Sequence, residues 1–169
     1  RVSQLTQTTF DASLRDIFVP LTSGGTLCIP PAGYRSNIVK LVEWIEEAQV
    51  HLIHCVPSLF RLLIKEISAA SEQRTYFPAL KHVLMAGEIL YGRDVQNWQK
   101  AAGDHTEIVN LYGTSETTLA KTFHRVKGVP EDPAQALHVG KPIEGAFIAI
   151  INSAGKLCRI GEIGEIYIK

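Results

Sequence analysis

The residues best equipped for chemistry stand together in Asn110-Leu111-Tyr112-Gly113-Thr114-Ser115-Glu116-Thr117-Thr118. Gly113 lets the backbone approach a ligand closely. The hydroxyls of Thr114, Ser115, Thr117 and Thr118 can donate to phosphate oxygens, and the Tyr112 ring can stack on a base. Glu116 is a hard oxygen ligand suited to a magnesium ion that bridges phosphates. Those are the parts of a nucleotide-activating site. Taken alone, the residue types leave a second reading open, a polar turn with a capping box. A hydrolase is disfavoured, because Ser115 does not sit in a Gly-x-Ser-x-Gly elbow.

The flanking sequence must position this turn. It reads as alternating strands and helices. Gln4–Thr9 is extended and β-branched. Leu14, Ile17, Phe18 and Leu21 recur at helical spacing and predict a buried face, with Ser13 as N-cap. Thr22-Ser23-Gly24-Gly25 ends that helix, and Thr26–Ile29 is a short strand. Ile38, Leu41, Val42 and Ile45 predict a second helix, capped by Ser36 or Asn37. Val50–Val56 is a strand. Pro57 opens a third helix carrying Leu59, Leu62, Leu63 and Ile67. Ser68–Pro78 is a polar loop, and Val83–Ala86 a strand stopped by Gly87. Val95–Ala102 is a helix with Trp98 on its apolar side. Thr106–Leu111 and Lys121–Val126 are strands flanking the Tyr112–Thr117 turn. Gly128–Gln135 is a loop.

The expected class is therefore α/β, with a mainly parallel sheet flanked by helices. Ligands in such sheets bind beyond the carboxyl ends of the strands, where the turn lies. From about residue 139 the pattern changes to strands alone, Ala146–Ile151 and Gly164–Lys169. We expect an α/β subdomain over 1–138 and the start of a β-barrel-like subdomain over 139–169.

Composition narrows the partners. Lys plus Arg and Asp plus Glu number 17 each, for a formal net charge of zero. Neither a nucleic acid nor a membrane surface is indicated, since both favour a basic excess. No apolar run approaches the roughly 18 residues that span a bilayer. Cys28, Cys55 and Cys158 fit no metal or redox spacing. They read as reduced, buried thiols, and a cytoplasmic location is expected. His51, His82, His105, His124 and His138 show no metal-ligand spacing either. The chain lacks an initiator Met and ends on a strand-like pattern, so a longer natural chain is expected.

Five segments together resemble one family in order and spacing. Asn110–Thr118 resembles the Asn-x-Tyr-Gly-Pro-Thr-Glu signature of adenylate-forming enzymes. Phe10-Asp11-Ala12-Ser13 is similar to their Phe-Asp-x-Ser motif, and Ala86-Gly87-Glu88 to their Gly-Gly-Glu turn. Val139-Gly140-Lys141-Pro142-Ile143 and Gly161-Glu162-Ile163-Gly164-Glu165-Ile166 resemble the Ile-Gly-x-Pro and Gly-Glu-x-Gly-Glu-Leu segments. Phe-Asp-Ala-Ser is closest to the adenylation domains of nonribosomal peptide synthetases.

The resemblance implies a set of roles. Tyr112 packs on adenine, with Asn110, Gly113 and Thr114 in the same loop and Gly87 and Glu88 as the opposite wall. Ser115 replaces the usual Thr at the α-phosphate, and Thr114 the usual Pro. Glu116 ligates Mg2+. The implied reaction is attack of a substrate carboxylate on the α-phosphate of ATP, giving an acyl-adenylate and pyrophosphate. The acyl group then passes to a phosphopantetheine thiol on a peptidyl carrier protein, beside a condensation domain. The family's phosphate loop would precede Arg1, and its ribose-binding Asp and catalytic Lys would follow Lys169. The chain is thus expected to be inactive alone.

The same register places Asp11, Ala12, Arg15, His54, Leu84, Ala86, Leu111, Leu119 and Ala120 around an amino-acid pocket. Asp11 would meet the substrate ammonium. Arg15 lies one helical turn after Asp11, and with His54 it suits a second carboxylate, because Arg grips carboxylates bidentately. An Asp- or Glu-like substrate is the expectation. Two alternatives stay open for the pair: a solvated helix arginine or one neutralised by Asp11 or Asp16, and a core histidine. At the level of function, an acyl- or aryl-CoA ligase and a non-catalytic pseudo-adenylation module remain as rivals. Asp11 speaks against the first, and Tyr112, Glu116 and Gly87-Glu88 against the second.

Overall fold

The computed structural model describes residues 1–70 and 74–169. Part of the loop expected over Ser68–Pro78 lies outside the described residues. The elements in chain order are β1 (Val2–Ser3), α1 (Ala12–Thr22), β2 (Leu27–Cys28), α2 (Ile38–Glu47), β3 (Leu52–Cys55), α3 (Pro57–Ala69) and β4 (His82–Met85). They continue with α4 (Gly92–Ala102), β5 (Glu107–Tyr112), β6 (Thr122–Arg125), β7 (Lys141–Pro142), β8 (Ile148–Ile151) and β9 (Glu165–Ile168). A seven-stranded sheet runs β2-β1-β3-β4-β5-β6-β7, and β8 pairs with β9 in a sheet of two. Strands β2 through β5 are parallel, whereas β6 and β7 join antiparallel. The α/β class with a mainly parallel sheet is thus what the chain adopts.

Parallel register aligns side chains across the central strands. Ile53, Val83 and Ile108 are register partners, and all three are buried. Side chains alternate faces along a strand, so this row and its neighbours His54, Leu84 and Val109 point to opposite sides. The first row meets α2, α3 and α4 in one apolar core that takes in Leu41, Ile45, Phe60, Leu63 and Trp98. Trp98 is wholly buried, with its ring centroid 4.8 Å from that of Phe60 and 5.8 Å from that of Phe77. Each such side chain contributes on the order of 1.5–3 kcal/mol by leaving water. The helices start as anticipated: Asn37 accepts from the Lys40 N–H to cap α2, and Pro57 is the first residue of α3.

The α1 region departs from the reading of the sequence. Gln4–Thr9 is not a strand; β1 lies earlier, at Val2–Ser3. Ser13 is not the cap but lies within the helix, after Asp11. The apolar stripe faces outward: Leu14 and Phe18 are 47% and 56% exposed. The buried residues of α1 are Ser13, Asp16 and Pro20. Periodicity locates two faces of a helix but not which one the sheet covers, and here the polar face is inside. Of the cysteines, only Cys28 is fully buried; Cys55 and Cys158 are partly so, and all three are free thiols.

Two charged clusters tie elements together. Arg61 on α3 grips Asp94 on α4 through two hydrogen bonds of 2.9 Å each. Asp94 also accepts from the Tyr91 N–H and so caps α4. Arg125 donates to Glu107 at 2.7 Å and His82 lies 3.0 Å from it, and Arg125 chiefly holds the Glu107 carboxyl below its ordinary pKa. Among the described residues no helix is long and apolar enough to cross a membrane.

The aromatic stack gives a stability test. Trp98→Ala removes the centre of the core, and urea unfolding of the chain should show a loss of about 3–5 kcal/mol. Leu62→Ala, at a residue 51% exposed on the same helix layer, should cost under about 1 kcal/mol.

Candidate functional site

The ends of the central strands open onto a cavity of about 500 Å³. That volume is within the range of small-molecule sites, about 300–1,000 Å³. One wall is the start of α1, with Asp11, Ala12 and Arg15, and the loop before it, with Leu5, Thr6, Gln7 and Phe10. The second is the exit of β3, with His54, Cys55 and Val56, backed by Leu59. The third is the exit of β4, with Ala86, Gly87 and Glu88. The fourth is the turn after β5, with Gly113, Thr114, Ser115, Leu119 and Ala120.

That fourth wall depends on unusual backbone. A Cβ built on Gly113 would lie 2.0 Å from the Leu119 carbonyl oxygen and 2.8 Å from the Ala120 Cα. Only glycine lets these two stretches of chain touch. Thr118 and Leu119 have φ of 62° and 63°, left-handed values that are costly for a β-branched or bulky residue. Strain of this kind costs on the order of 1–3 kcal/mol per residue and gathers at ligand sites. Ser115–Thr117 forms a short 3₁₀ turn, steadied by the Thr117 hydroxyl donating to the Thr114 carbonyl at 3.1 Å.

The opposite side of the cavity is polar and buried. His54 is 3% exposed and Asp16 fully buried; His54 Nδ1 lies 2.8 Å from Asp16 Oδ1. Asp16 Oδ2 accepts from the Thr6 N–H at 3.2 Å. Among the described residues, both ring nitrogens of His54, Asp16 Oδ1 and Arg15 Nε are buried and make no hydrogen bond, so the 2.8 Å approach of Asp16 to His54 is an electrostatic contact off hydrogen-bond line. Burial pulls the pKa of His54 down, against the contact with Asp16, which favours the proton. Burial also pulls Arg15 down, partly offset by Asp16 and Asp11. Cys55, beside them, is pushed up to about 12, chiefly by burial, and is no thiolate nucleophile.

The site residues expected from sequence divide accordingly. Asp11, Ala12, Arg15, His54, Ala86, Leu119 and Ala120 line the cavity together with Gly87, Glu88, Gly113, Thr114 and Ser115. Leu84, Asn110, Leu111, Tyr112 and Glu116 are not among its lining residues. Asn110 is buried, and its amide donates to the Leu137 and His138 carbonyls, each at 3.2 Å, anchoring the segment that leads to β7. Glu88 directs its carboxylate at the start of α3, accepting from the Ser58 N–H at 2.9 Å and the Ser58 hydroxyl at 2.7 Å. A carboxylate there complements the helix dipole. Glu116 is exposed on the 3₁₀ turn. Among the described residues no three His, Cys, Asp or Glu side chains cluster as a metal cage. Asp16 entered the reading of the sequence only as a charge that could neutralise Arg15. Its signal was the spacing Ser13, Asp16, Pro20, a second helical stripe beside the apolar one.

Comparison with known proteins fits this geometry. The AMP-binding enzyme family model matches residues 1–169, and the chain belongs to that family. Among curated relatives, the L-2-aminoadipate reductase large subunit of Penicillium chrysogenum is 33% identical over 94% of this chain and 11% of its own length. The L-proline--[L-prolyl-carrier protein] ligase of Streptomyces coelicolor is 32% identical over 94% of this chain and 29% of its own length. Among solved structures, the nonribosomal peptide synthetase FmoA3 in its alpha-methyl-L-serine-AMP bound form matches with a TM-score of 0.88. It is 25% identical, over 99% of this chain and 19% of that one. The chain thus spans under a third of the length of each of these relatives.

The contact at Gly113 is testable. Gly113→Ala should destabilise the chain by about 1–3 kcal/mol through overpacking of backbone on backbone. Gly24→Ala, where a Cβ meets nothing within 4 Å but φ is +73°, should cost only about 1 kcal/mol. Thermal unfolding of the two variants side by side checks the order.

Proposed function

We propose that this chain is part of an amino-acid-activating adenylation domain of a nonribosomal peptide synthetase. On this reading it belongs to an ATP-dependent ligase that makes aminoacyl-AMP and loads the acyl group onto the phosphopantetheine thiol of a peptidyl carrier protein. A condensation domain of the same synthetase is the other expected partner. On the same reading residues 1–138 are the α/β subdomain, and residues 139–169, whose first strand β7 still pairs with β6 in the α/β sheet, open a barrel-like one. The observation that carries the reading is a single cavity at the strand ends, walled on one side by Asp11, Arg15 and His54 and on the other by Gly87 and Gly113–Ser115. An amino acid suits the first side and the phosphate of a nucleotide the second.

In the proposed reaction a carboxylate oxygen of the amino acid attacks the α-phosphorus of ATP. The bond from that phosphorus to the β-phosphate oxygen breaks, and pyrophosphate leaves. Asp11 accepts from the substrate ammonium and fixes the carboxylate near the phosphate, which is catalysis by position. The Ser115 hydroxyl donates to an α-phosphate oxygen as negative charge grows there. Tyr112 and the Gly87 wall hold the adenine, with Asn110 bracing the strand end beneath. Glu116 fits magnesium in the manner usual for that ion, one carboxylate with phosphate oxygens and waters rather than a protein cage. Bound there, magnesium would neutralise phosphate charge.

For the amino acid itself we propose an acidic side chain, held by Arg15 and His54. Both line the cavity, and Arg15, half-buried with Nε unpaired, has its charge only partly offset by Asp16 and Asp11, so an anionic partner would relieve an under-compensated cation. Five curated relatives are named for L-2-aminoadipate, a dicarboxylic amino acid, and one for L-proline, which has no second carboxylate.

Pyrophosphate exchange by the parent enzyme tests each part. Glu116→Ala should lower exchange at least about 100-fold with unchanged circular dichroism. Across a panel of amino acids, exchange should peak with Asp, Glu or a methylated relative. Arg15→Ala should raise KM for that amino acid about tenfold or more and leave KM for ATP nearly constant. A peak at Leu or Phe would refute the acidic assignment and leave adenylation standing.

A further inference from the structure

We propose that Asp16 is the positioning residue of this pocket: by holding Nδ1 of His54 it presents Nε2 to the cavity as the atom that takes up a proton when an anionic substrate side chain enters. The inference rests on the proposed amino-acid pocket and extends it to a residue outside the cavity wall.

The geometry is a three-part relay of contacts. The Thr6 N–H donates to Asp16 Oδ2 at 3.2 Å, which orients the carboxylate. Asp16 Oδ1 then stands 2.8 Å from His54 Nδ1, an ion-pair contact whose angle falls short of a hydrogen bond. Asp16 is fully buried and His54 3% exposed, so neither group has water to choose from. A carboxylate facing Nδ1 selects the tautomer with hydrogen on Nδ1, because the opposite tautomer sets a lone pair against an anion. Nε2 is then left with its lone pair, buried and without a protein partner, on a residue that lines the cavity.

An empty pocket therefore holds neutral His54. Its proton affinity is depressed mainly by burial and further by Arg15, and is supported by Asp16. The charged and titratable groups around it are Asp11, Arg15 and Asp16 from α1, Cys55 from β3, and Glu88 from the β4 exit. Cys55 is held as a thiol, and Glu88 is engaged by Ser58. Asp11 is the group assigned to the substrate ammonium. A carboxylate side chain arriving at Nε2 would meet a lone pair. It binds well only if a proton from solvent moves onto Nε2, after which Nε2–H donates to the carboxylate and Asp16 balances the imidazolium. No bond other than N–H forms, and the proton is supplied by water. The sign follows from linkage: the bound state holds one more proton than the free state, so affinity for an acidic substrate rises as pH falls.

Asp16 touches no substrate in this scheme, and its role differs from that of a structural ion pair in three readouts. Imidazole 15N chemical shifts of the 169-residue chain at pH 7.5, assigned with His54→Gln, should report hydrogen on Nδ1. Free histidine prefers hydrogen on Nε2, and finding that tautomer at His54 would overturn the dyad. In the parent enzyme, KM for the preferred acidic amino acid should rise about tenfold per pH unit above the free-enzyme pKa of His54, with KM for ATP flat. Asp16→Asn should raise the acidic amino acid's KM by about tenfold or more at pH 7 and shift this pH profile. Should that variant not fold, His54→Gln serves instead: its amide donates at every pH, so the KM slope with pH should vanish. A wild-type KM that does not change with pH, or a slope that survives in His54→Gln, refutes proton uptake at Nε2. An exchange panel that peaks with a non-acidic amino acid overturns the ligand half of the proposal, together with the substrate assignment it rests on, and leaves the tautomer result to judge Asp16 alone.

Discussion

The contact between Asp16 and His54 joins the buried face of α1 to the end of β3. Helices usually dock through apolar residues, and α2, α3 and α4 do so here. Helix α1 turns Ser13, Asp16 and Pro20 inward and leaves Leu14 and Phe18 exposed. Taking two ionisable groups out of water costs several kcal/mol, and an apolar pair in their place is often as stable or more so. Stability alone therefore does not account for the pair. Its consequence is spatial. With no large apolar side chain pointing from α1 toward the ends of β3 and β4, the space between them stays open, and it is lined by Asp11, Arg15 and His54.

The opposite side of the sheet supplies the rigidity that an open cavity lacks. Trp98 stacked between Phe60 and Phe77 fixes α4 on α3. Arg61 extends the connection by gripping Asp94 and lying 3.7 Å from Glu88. Glu88 in turn binds the first turn of α3 through Ser58. The chain leaving β4 is thus tied to two helices, and Gly87, with φ of +90°, stands at the cavity with its neighbours held. The turn after β5 is held differently, by Gly113 against Leu119 and by strained backbone at Thr118 and Leu119. One wall is braced by side chains and the other by the backbone itself.

This difference explains what the sequence could and could not reveal. Helices α2, α3 and α4 were legible because their apolar stripes face the core, and Asn37 and Pro57 mark two of the starts. Strands β3, β4 and β5 were legible as apolar runs ended by turn residues. The turn with Gly113 and Ser115 could be placed beyond the strand ends from α/β sheet geometry, whereas the Phe10–Ser13 segment was brought to the same cavity only by resemblance to the motifs of adenylate-forming enzymes. Helix α1 was misjudged because an apolar stripe was taken as the inner face. β1 was misplaced because two ladder residues carry too little pattern, and Gln4–Thr9 has β-branched residues that a strand would also use. Asp16 was overlooked since a carboxylate on a helix is ordinarily solvated, and only the three-dimensional approach of β3 reveals its partner. The 3₁₀ turn turned Glu116 to the outside, which no spacing rule foretells.

Charge placement within the cavity bears on specificity. Asp11 and Arg15 are four residues apart on one helix, so their α-carbons are separated by about one turn, near 6 Å along and across the axis. On the proposed reading they address opposite ends of one amino acid, the ammonium and the distal carboxylate. An apolar substrate would satisfy Asp11 and leave Arg15 facing a hydrocarbon, a penalty that discriminates without any steric block. A Lys-like substrate would add repulsion against Arg15. His54 refines the choice further, because a neutral imidazole accepts a hydrogen bond from an amide or hydroxyl, whereas its protonated form donates to a carboxylate. The fixed arginine therefore sets the sign of the preferred side chain. The histidine, held by a buried carboxylate behind it, sets how firmly that preference holds as the pH changes.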